Sequence, residues 1–240
     1  YKPVNLYEKE LSRLFREYIL SSGFPEIVNV KDKVIIKKYI KETIVEKVIY
    51  TDIPKIFKVK DMSLLESILN IIMEEPGRII EVSELSKELR VSRQKISNYL
   101  NYLEKSFLVR KLYNFSKSRR KIERKLRKYY PTIVSVDLVF KEDDLSRSVI
   151  FEWIIVNQLK AEFFFRDSYK NEVDIVLLGK KIKPIEVKYG KLDFKGLLVF
   201  MEKFKLDEGY IISNNKEEMQ RFNKKTIYII PAFKYLLKYG

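Results

Sequence analysis

A chain of 240 residues without cysteine or histidine cannot form a disulfide, a thiolate nucleophile, a His-dependent catalytic triad or a zinc site of Cys and His ligands. Any metal it holds must be a hard cation on carboxylates, which favours Mg²⁺ or Mn²⁺. Its 48 Lys and Arg against 33 Asp and Glu leave a formal charge of +15, and that surplus points to a polyanionic partner, either nucleic acid or an anionic membrane face.

No apolar run approaches the roughly 20 residues of a membrane span, and no signal peptide opens the chain, so a cytoplasmic protein is expected. Richness in Lys, Glu, Ile and Tyr, with few Met and no Cys, fits a heat-adapted intracellular protein, although an AT-rich genome leaves the same mark. Tyr1 is not an initiator methionine, which fits a fragment or a processed chain.

Three regions follow in order: a helical segment over 1–61, a second region over 62–130 and a third over 131–240. In the first, Leu6, Leu11, Leu14, Phe15 and Tyr18 approximate a 3.6-residue stripe, stopped at Ser21-Ser22-Gly23-Phe24-Pro25. A second helix is expected over 36–49, closed by Asp52-Ile53-Pro54.

The second region predicts a winged helix-turn-helix. Val82, Leu85 and Leu89 mark the inner face of a short helix with Ser83 as its N-cap, Val91 takes the turn, and Ser92 caps the next helix. Ile96, Leu100 and Leu103 then face inward, leaving Arg93, Gln94, Lys95, Ser97 and Asn98 outward, the end and the side chains suited to reading base edges. A strand over 107–113 leads into a basic wing carrying Lys117, Arg119, Arg120, Lys121, Arg124, Lys125, Arg127 and Lys128, with Tyr129 and Tyr130 starting the return strand. Residues 76–130 hold 16 basic and 5 acidic side chains, so +11 of the +15 sits in under a quarter of the chain. DNA is the expected partner. A winged helix used only for packing or dimerisation is the plainer alternative, and homo-oligomerisation stays open.

In the third region, apolar segments of strand length alternate with helical ones, which predicts a mixed α/β domain. A helix begins near Phe151 with Glu152 near its start, followed by strands over 161–166, 172–178 and 182–189. Glu186 and Lys188 share one strand face, as do Glu172 and Asp174, and a hairpin centred near Gly179-Lys180 sets Asp174 opposite Glu186. Two carboxylates and a lysine in this arrangement suit phosphodiester hydrolysis, with Asp174 and Glu186 as Mg²⁺ or Mn²⁺ ligands, Lys188 orienting water, and Glu152 an added ligand or base. Glu172 can substitute. A helix over 193–204 and a strand over 209–213 complete the pattern.

These residues resemble the PD-(D/E)XK, or restriction-endonuclease-like, superfamily, whose core is a helix, a β-meander, a helix and another strand. Asp174 matches its second-strand acid, Glu186-Val187-Lys188 its acid-x-lysine and Glu152 the acid of the preceding helix; Val173 replaces the usual proline before the aspartate. A second resemblance covers nearly the whole chain. Gly23-Phe24-Pro25-Glu26, Tyr39-Ile40, Asp52-Ile53, Val91-Ser92-Arg93, Phe107-Leu108-Val109 and Glu172-Val173-Asp174-Ile175 occur in the order seen in the C-terminal region of archaeal and bacterial AAA+-type ATPases. No Gly-x-x-x-x-Gly-Lys-Ser/Thr occurs, so any ATP would be bound by a domain outside this chain and no ATPase activity is expected from it alone.

The expectation is therefore an α+β chain: a helical segment and winged helix-turn-helix followed by a nuclease-like domain, acting as the DNA-binding, metal-dependent nuclease region of an ATPase. The alternative is a catalytically silent DNA-binding regulator or a protein-docking module. A membrane-surface role is disfavoured, because no amphipathic basic helix accompanies the wing.

Overall fold

The computed structural model describes residues 7–239 except 22, 119–121, 123–125, 134–135 and 142. The fold is mixed α+β. The chain divides into two units interleaved in sequence: a helical unit of Arg16–Lys111 and Arg127–Ser146, and a sheet unit of Tyr1–Phe15, Leu112–Leu126 and Arg147–Gly240.

Helix α1 (Glu8–Ser21) stands where the apolar stripe predicts it. After it, Gly23 has φ +76°, and a Cβ there would lie 2.8 Å from the Tyr18 ring. Glycine is required at this turn.

The second helix is longer than 36–49. Asp32 caps α2 (Lys33–Lys38), its carboxylate accepting from the amides of Val34 and Ile35 at 2.8 and 3.2 Å. The helix runs on through π-helical turns (Tyr39–Glu46 and Val48–Asp52) into α3 (Ile53–Ile56). Its buried residues Ile36, Ile40, Val45, Ile49 and Ile53 fall four or five apart, a spacing wider than an α-helix and suited to i→i+5 turns. Pro54 does not close the helix. It lies in the first turn of α3, where a missing N–H is least costly.

Next come α4 (Met62–Glu74), β1 (Arg78–Ile79), α5 (Val82–Glu88), α6 (Arg93–Lys105), β2 (Val109–Asn114) and β3 (Arg127–Pro131). β1 pairs antiparallel with β3 through Arg78↔Tyr129 and Ile79↔Lys128. Leu65, Ile68, Leu69 and Ile72 of α4, Leu85 of α5, and Ile96, Leu100 and Leu103 of α6 are all buried and form the core of the helical unit. Tyr99 joins them, a position the sequence reading leaves out. Ser92 caps α6, accepting from the Lys95 amide at 3.2 Å. Ser83 does not cap α5; Glu81 holds that position in extended conformation, because the Ile80 amide is still engaged with the Arg127 carbonyl at 3.0 Å.

A short α7 (Val136–Val139) precedes α8 (Asp144–Gln158). In the sheet unit Trp153, Ile154, Ile155 and Val156 of α8 are buried in succession, so several sides of the helix are covered. β4 (Phe163–Arg166) pairs antiparallel with β5 (Glu172–Val173), and Tyr113 and Asn114 pair alongside β4 in parallel. The Asn114 side chain acts as an extra peptide group, donating to the Arg166 carbonyl at 2.8 Å and accepting from the Arg166 amide at 3.0 Å.

A five-stranded sheet follows in the order β6-β7-β8-β10-β9. Its strands are β6 (Ile175–Leu177), β7 (Lys183–Lys188), β8 (Glu208–Ser213), β9 (Glu218–Phe222) and β10 (Lys225–Pro231). β7, β8 and β10 are parallel neighbours, and β6 and β9 flank them antiparallel. The crossover from β7 to β8 is α9 (Lys195–Phe204), whose Leu197, Phe200 and Met201 pack with Val173, Val176, Ile211, Ile227 and Ile229. The last helix is α10 (Ala232–Tyr239). β9, β10 and α10 lie beyond the last element taken from the sequence.

Candidate functional site

The hairpin of β6 and β7 sets the geometry of the sheet unit's polar cluster. Its register pairs Ile175 with Ile185, Val176 with Pro184 and Leu177 with Lys183. One step further brings Asp174, at the break between β5 and β6, level with Glu186. Asp174 is buried, and its Oδ2 accepts from the Val187 amide at 2.8 Å. Glu186 is also buried, with its Oε1 2.8 Å from Lys188 Nζ. Buried carboxylates of this kind need partners, because an ionised group loses its hydration.

Lys188 carries the electrostatic record of the cluster. Burial by itself pushes its ammonium toward the neutral form, but Glu186 and Asp174, joined by Glu152, outweigh it and hold the pKa above the ordinary lysine value. Glu152, half-buried on α8, therefore acts on the same lysine as the hairpin carboxylates. Glu172 takes another role: its Oε2 pairs with Arg166 at 3.3 Å across β4 and β5. Asp174 and Glu186 offer the hard oxygen donors that Mg²⁺ or Mn²⁺ takes. Among the described residues, however, no three or more Asp, Glu, His or Cys side chains gather as a metal-holding group.

In the helical unit, Arg93, Gln94, Ser97 and Asn98 are exposed along the N-terminal half of α6, and Gln94 Nε2 donates to Asn98 Oδ1 at 2.9 Å. Lys95 does not project freely. Its Nζ lies 2.7 Å from Asp61 Oδ2 and 5.6 Å from the Tyr99 ring centroid, tying α6 to the start of α4. Of the basic stretch, Arg119, Arg120, Lys121, Arg124 and Lys125 lie outside the described residues. Lys128 is buried in β3, so it is no surface cation.

The chain is thus a mixed α+β protein with a carboxylate and lysine cluster on one hairpin and a polar helix face in a separate unit. Residues 148–235 match the domain of unknown function DUF4143, a domain typically found in the C-terminal regions of AAA-ATPase-like proteins. Residues 12–132, just over half the chain, match the domain of unknown function DUF8612, and the chain belongs to that family. Its relatives include Uncharacterized protein MJ1544 of Methanocaldococcus jannaschii, 27% identical across 96% of this chain and 57% of the relative. Uncharacterized protein MJ1637 of the same organism is 24% identical over 72% of this chain and 40% of its own length. An uncharacterized protein of Haemophilus influenzae is 29% identical over 45% of this chain and 28% of its own length. The chain spans about half the length, or less, of the curated relatives it matches. No solved structure matches it. No helix among the described residues is long and apolar enough to cross a membrane.

Proposed function

We propose that this chain is the DNA-directed C-terminal part of an AAA+-type ATPase, joining a winged helix-turn-helix to a restriction-nuclease-like domain. The observation that carries the reading is the convergence of buried Asp174 and Glu186 with Lys188 on one hairpin. Support for the fold assignments comes from element order. In the helical unit, helix, strand, helix, helix and two strands follow in turn, with the first strand paired to the last. In the sheet unit, a helix leads into a β-meander, a helix and a parallel strand.

Asp174 and Glu186 would hold Mg²⁺ or Mn²⁺, with Glu152 contributing from α8. When bound, the ion polarises phosphate and lowers the pKa of a coordinated water. Lys188, kept cationic by its three acidic neighbours, stabilises negative charge building on the phosphate. Arg93, Gln94, Ser97 and Asn98 face the major groove, and the basic segment with Arg119, Arg120, Lys121 and Arg124 contacts phosphates.

The test is cleavage of plasmid and oligonucleotide DNA with Mg²⁺ or Mn²⁺. Asp174→Ala, Glu186→Ala and Lys188→Ala should each lower cleavage by roughly a thousandfold while DNA affinity holds, since grip and site lie in different units. Among the described residues no three or more Asp, Glu, His or Cys side chains stand as a metal-holding group, which favours one second reading, a catalytically silent DNA-binding regulator or docking module. Absence of any divalent-ion affinity in the wild-type chain, with DNA present, would sink the nuclease reading and leave that one.

A further inference from the structure

The turn joining β4 to β5 is held by its own polar groups. Asp167 Oδ1 accepts from the amides of Tyr169 and Asn171, both at 2.9 Å, and Oδ2 accepts from Asn171 Nδ2 at 2.9 Å. Backbone bonds from the Asp167 amide to the Asn171 carbonyl and from the Lys170 amide to the Asp167 carbonyl close it. Lys170 takes φ +64°, the left-handed conformation needed to turn the chain. The Tyr169 ring has no part in this bonding. At 86% it is the most exposed large apolar side chain among the described residues, displayed on a turn already ordered without it.

Strand direction puts this turn at a particular end of the sheet unit. β5 reverses β4, β6 continues from β5 beyond Asp174, and β7 reverses β6. β4 and β7 therefore end on the same side, where β8, parallel to β7, ends as well. In the hairpin register Lys188 comes level with Glu172, three residues short of Tyr169, about 10 Å along the strand direction. Just past β7, Lys191 and Lys195 are exposed, and a Cβ on Gly190 would meet nothing within 4 Å. The rim carries exposed Lys170, Lys191 and Lys195 against two carboxylates, Asp193 and Asp167, each of which accepts from local amides, and it offers the Tyr169 ring to solvent.

We propose that this rim binds an unpaired DNA strand, with Tyr169 stacked on a base and Lys170, Lys191 and Lys195 against the flanking phosphates. The substrate class is then single-stranded or frayed DNA; its placement beside a catalytic centre rests on the nuclease reading above. A stacking platform among cations is how proteins hold single strands without sequence preference. A single exposed ring lacks the contiguous apolar core of a protein interface. Closed duplex hides its base faces, so an ordered exposed ring has more to gain from a strand whose bases are unstacked.

The test is fluorescence anisotropy with a labelled oligodeoxythymidine and, in parallel, a labelled blunt hairpin duplex. Tyr169→Ala should weaken oligodeoxythymidine binding by roughly five- to a hundredfold and leave duplex binding unchanged. Tyr169→Phe should restore it, since stacking needs the ring and not the hydroxyl. The unfolding midpoint should not move, as the side chain packs against nothing in the turn's bonding. Equal oligodeoxythymidine affinity in wild type and Tyr169→Ala would overturn the proposal, and so would equal loss of duplex binding. Tyr169-dependent strand binding in a chain that cleaves nothing would uphold the rim while the nuclease reading fails. Metal-dependent cleavage of duplex that Tyr169→Ala does not change, with no strand binding, would sink the rim and leave the nuclease standing.

Discussion

Gly196, in the first turn of α9, lies directly against the backbone of β5. A Cβ there would stand 2.1 Å from the Glu172 carbonyl oxygen, and neither partner is a flexible side-chain end that can give way. Gly196→Ala must therefore lift α9 from β5, at a cost of about 1–3 kcal/mol, read as a lowered urea midpoint with unchanged m-value. Gly190→Ala, placed in open space, is the matched control and should stay within about 0.5 kcal/mol. Because Glu172 is two residues from Asp174, the displacement also bears on the hydrogen bond from the Val187 amide. Of the polar cluster, Asp174, Glu186 and Lys188 are legible from sequence, since a short turn between two strands sets their register locally. Glu172 is legible only as a candidate. Its pairing with Arg166 depends on the β4–β5 register, and that is set by a turn built on Asp167 and Asn171.

At the scale of elements, the start of α4 and the face of α6 are fastened by one ion pair. Asp61 accepts from the Leu64 amide at 3.0 Å and from Ser63 Oγ at 2.8 Å, and takes Lys95 Nζ at 2.7 Å. The Lys95 bond above all, with the Leu64 and Ser63 bonds, holds the Asp61 carboxyl at a pKa of about 2 against burial. Asp61→Ala should cost about 1 kcal/mol for the lost N-cap alone. Because the folded pKa lies below the unfolded one, the ionised carboxylate's contribution is complete above about pH 4 and disappears as pH falls toward about 2. Thermal midpoints of wild type and Asp61→Asn should thus differ at neutral pH and converge in acid. A constant gap would show that the charge contributes nothing. The helix caps also mark how far local sequence reaches. Ser92 is read correctly because cap, turn and first helical turn are contiguous, whereas the start of α5 is set by a strand pairing between Ile80 and Arg127, 47 residues apart in the numbering. The same holds for the helix after Asp32: its apolar spacing of four and five is visible in the sequence, but a 3.6-residue template divides it too early.

For the whole molecule, the uneven charge is the property with the widest consequences. Residues 76–130 hold 16 basic against 5 acidic side chains, and much of that excess falls between β2 and β3, while Lys128 is buried and Lys95 is tied to Asp61. If this segment grips DNA, its cations displace condensed counterions from phosphate, and each contact contributes about 0.9 to the slope of log affinity against log salt. Neutralising Arg119, Arg120 and Lys121 together should weaken duplex binding and flatten that slope by up to about 2.7, when all three touch phosphate. Arg93→Ala and Asn98→Ala, on the exposed face of α6, should act differently. They should change the ranking of DNA sequences, because base contacts carry sequence information and phosphate contacts do not. A salt titration across duplexes of two compositions separates the effects in one experiment. A slope unchanged by the triple substitution would place the phosphate grip elsewhere and leave the basic segment as solvated charge.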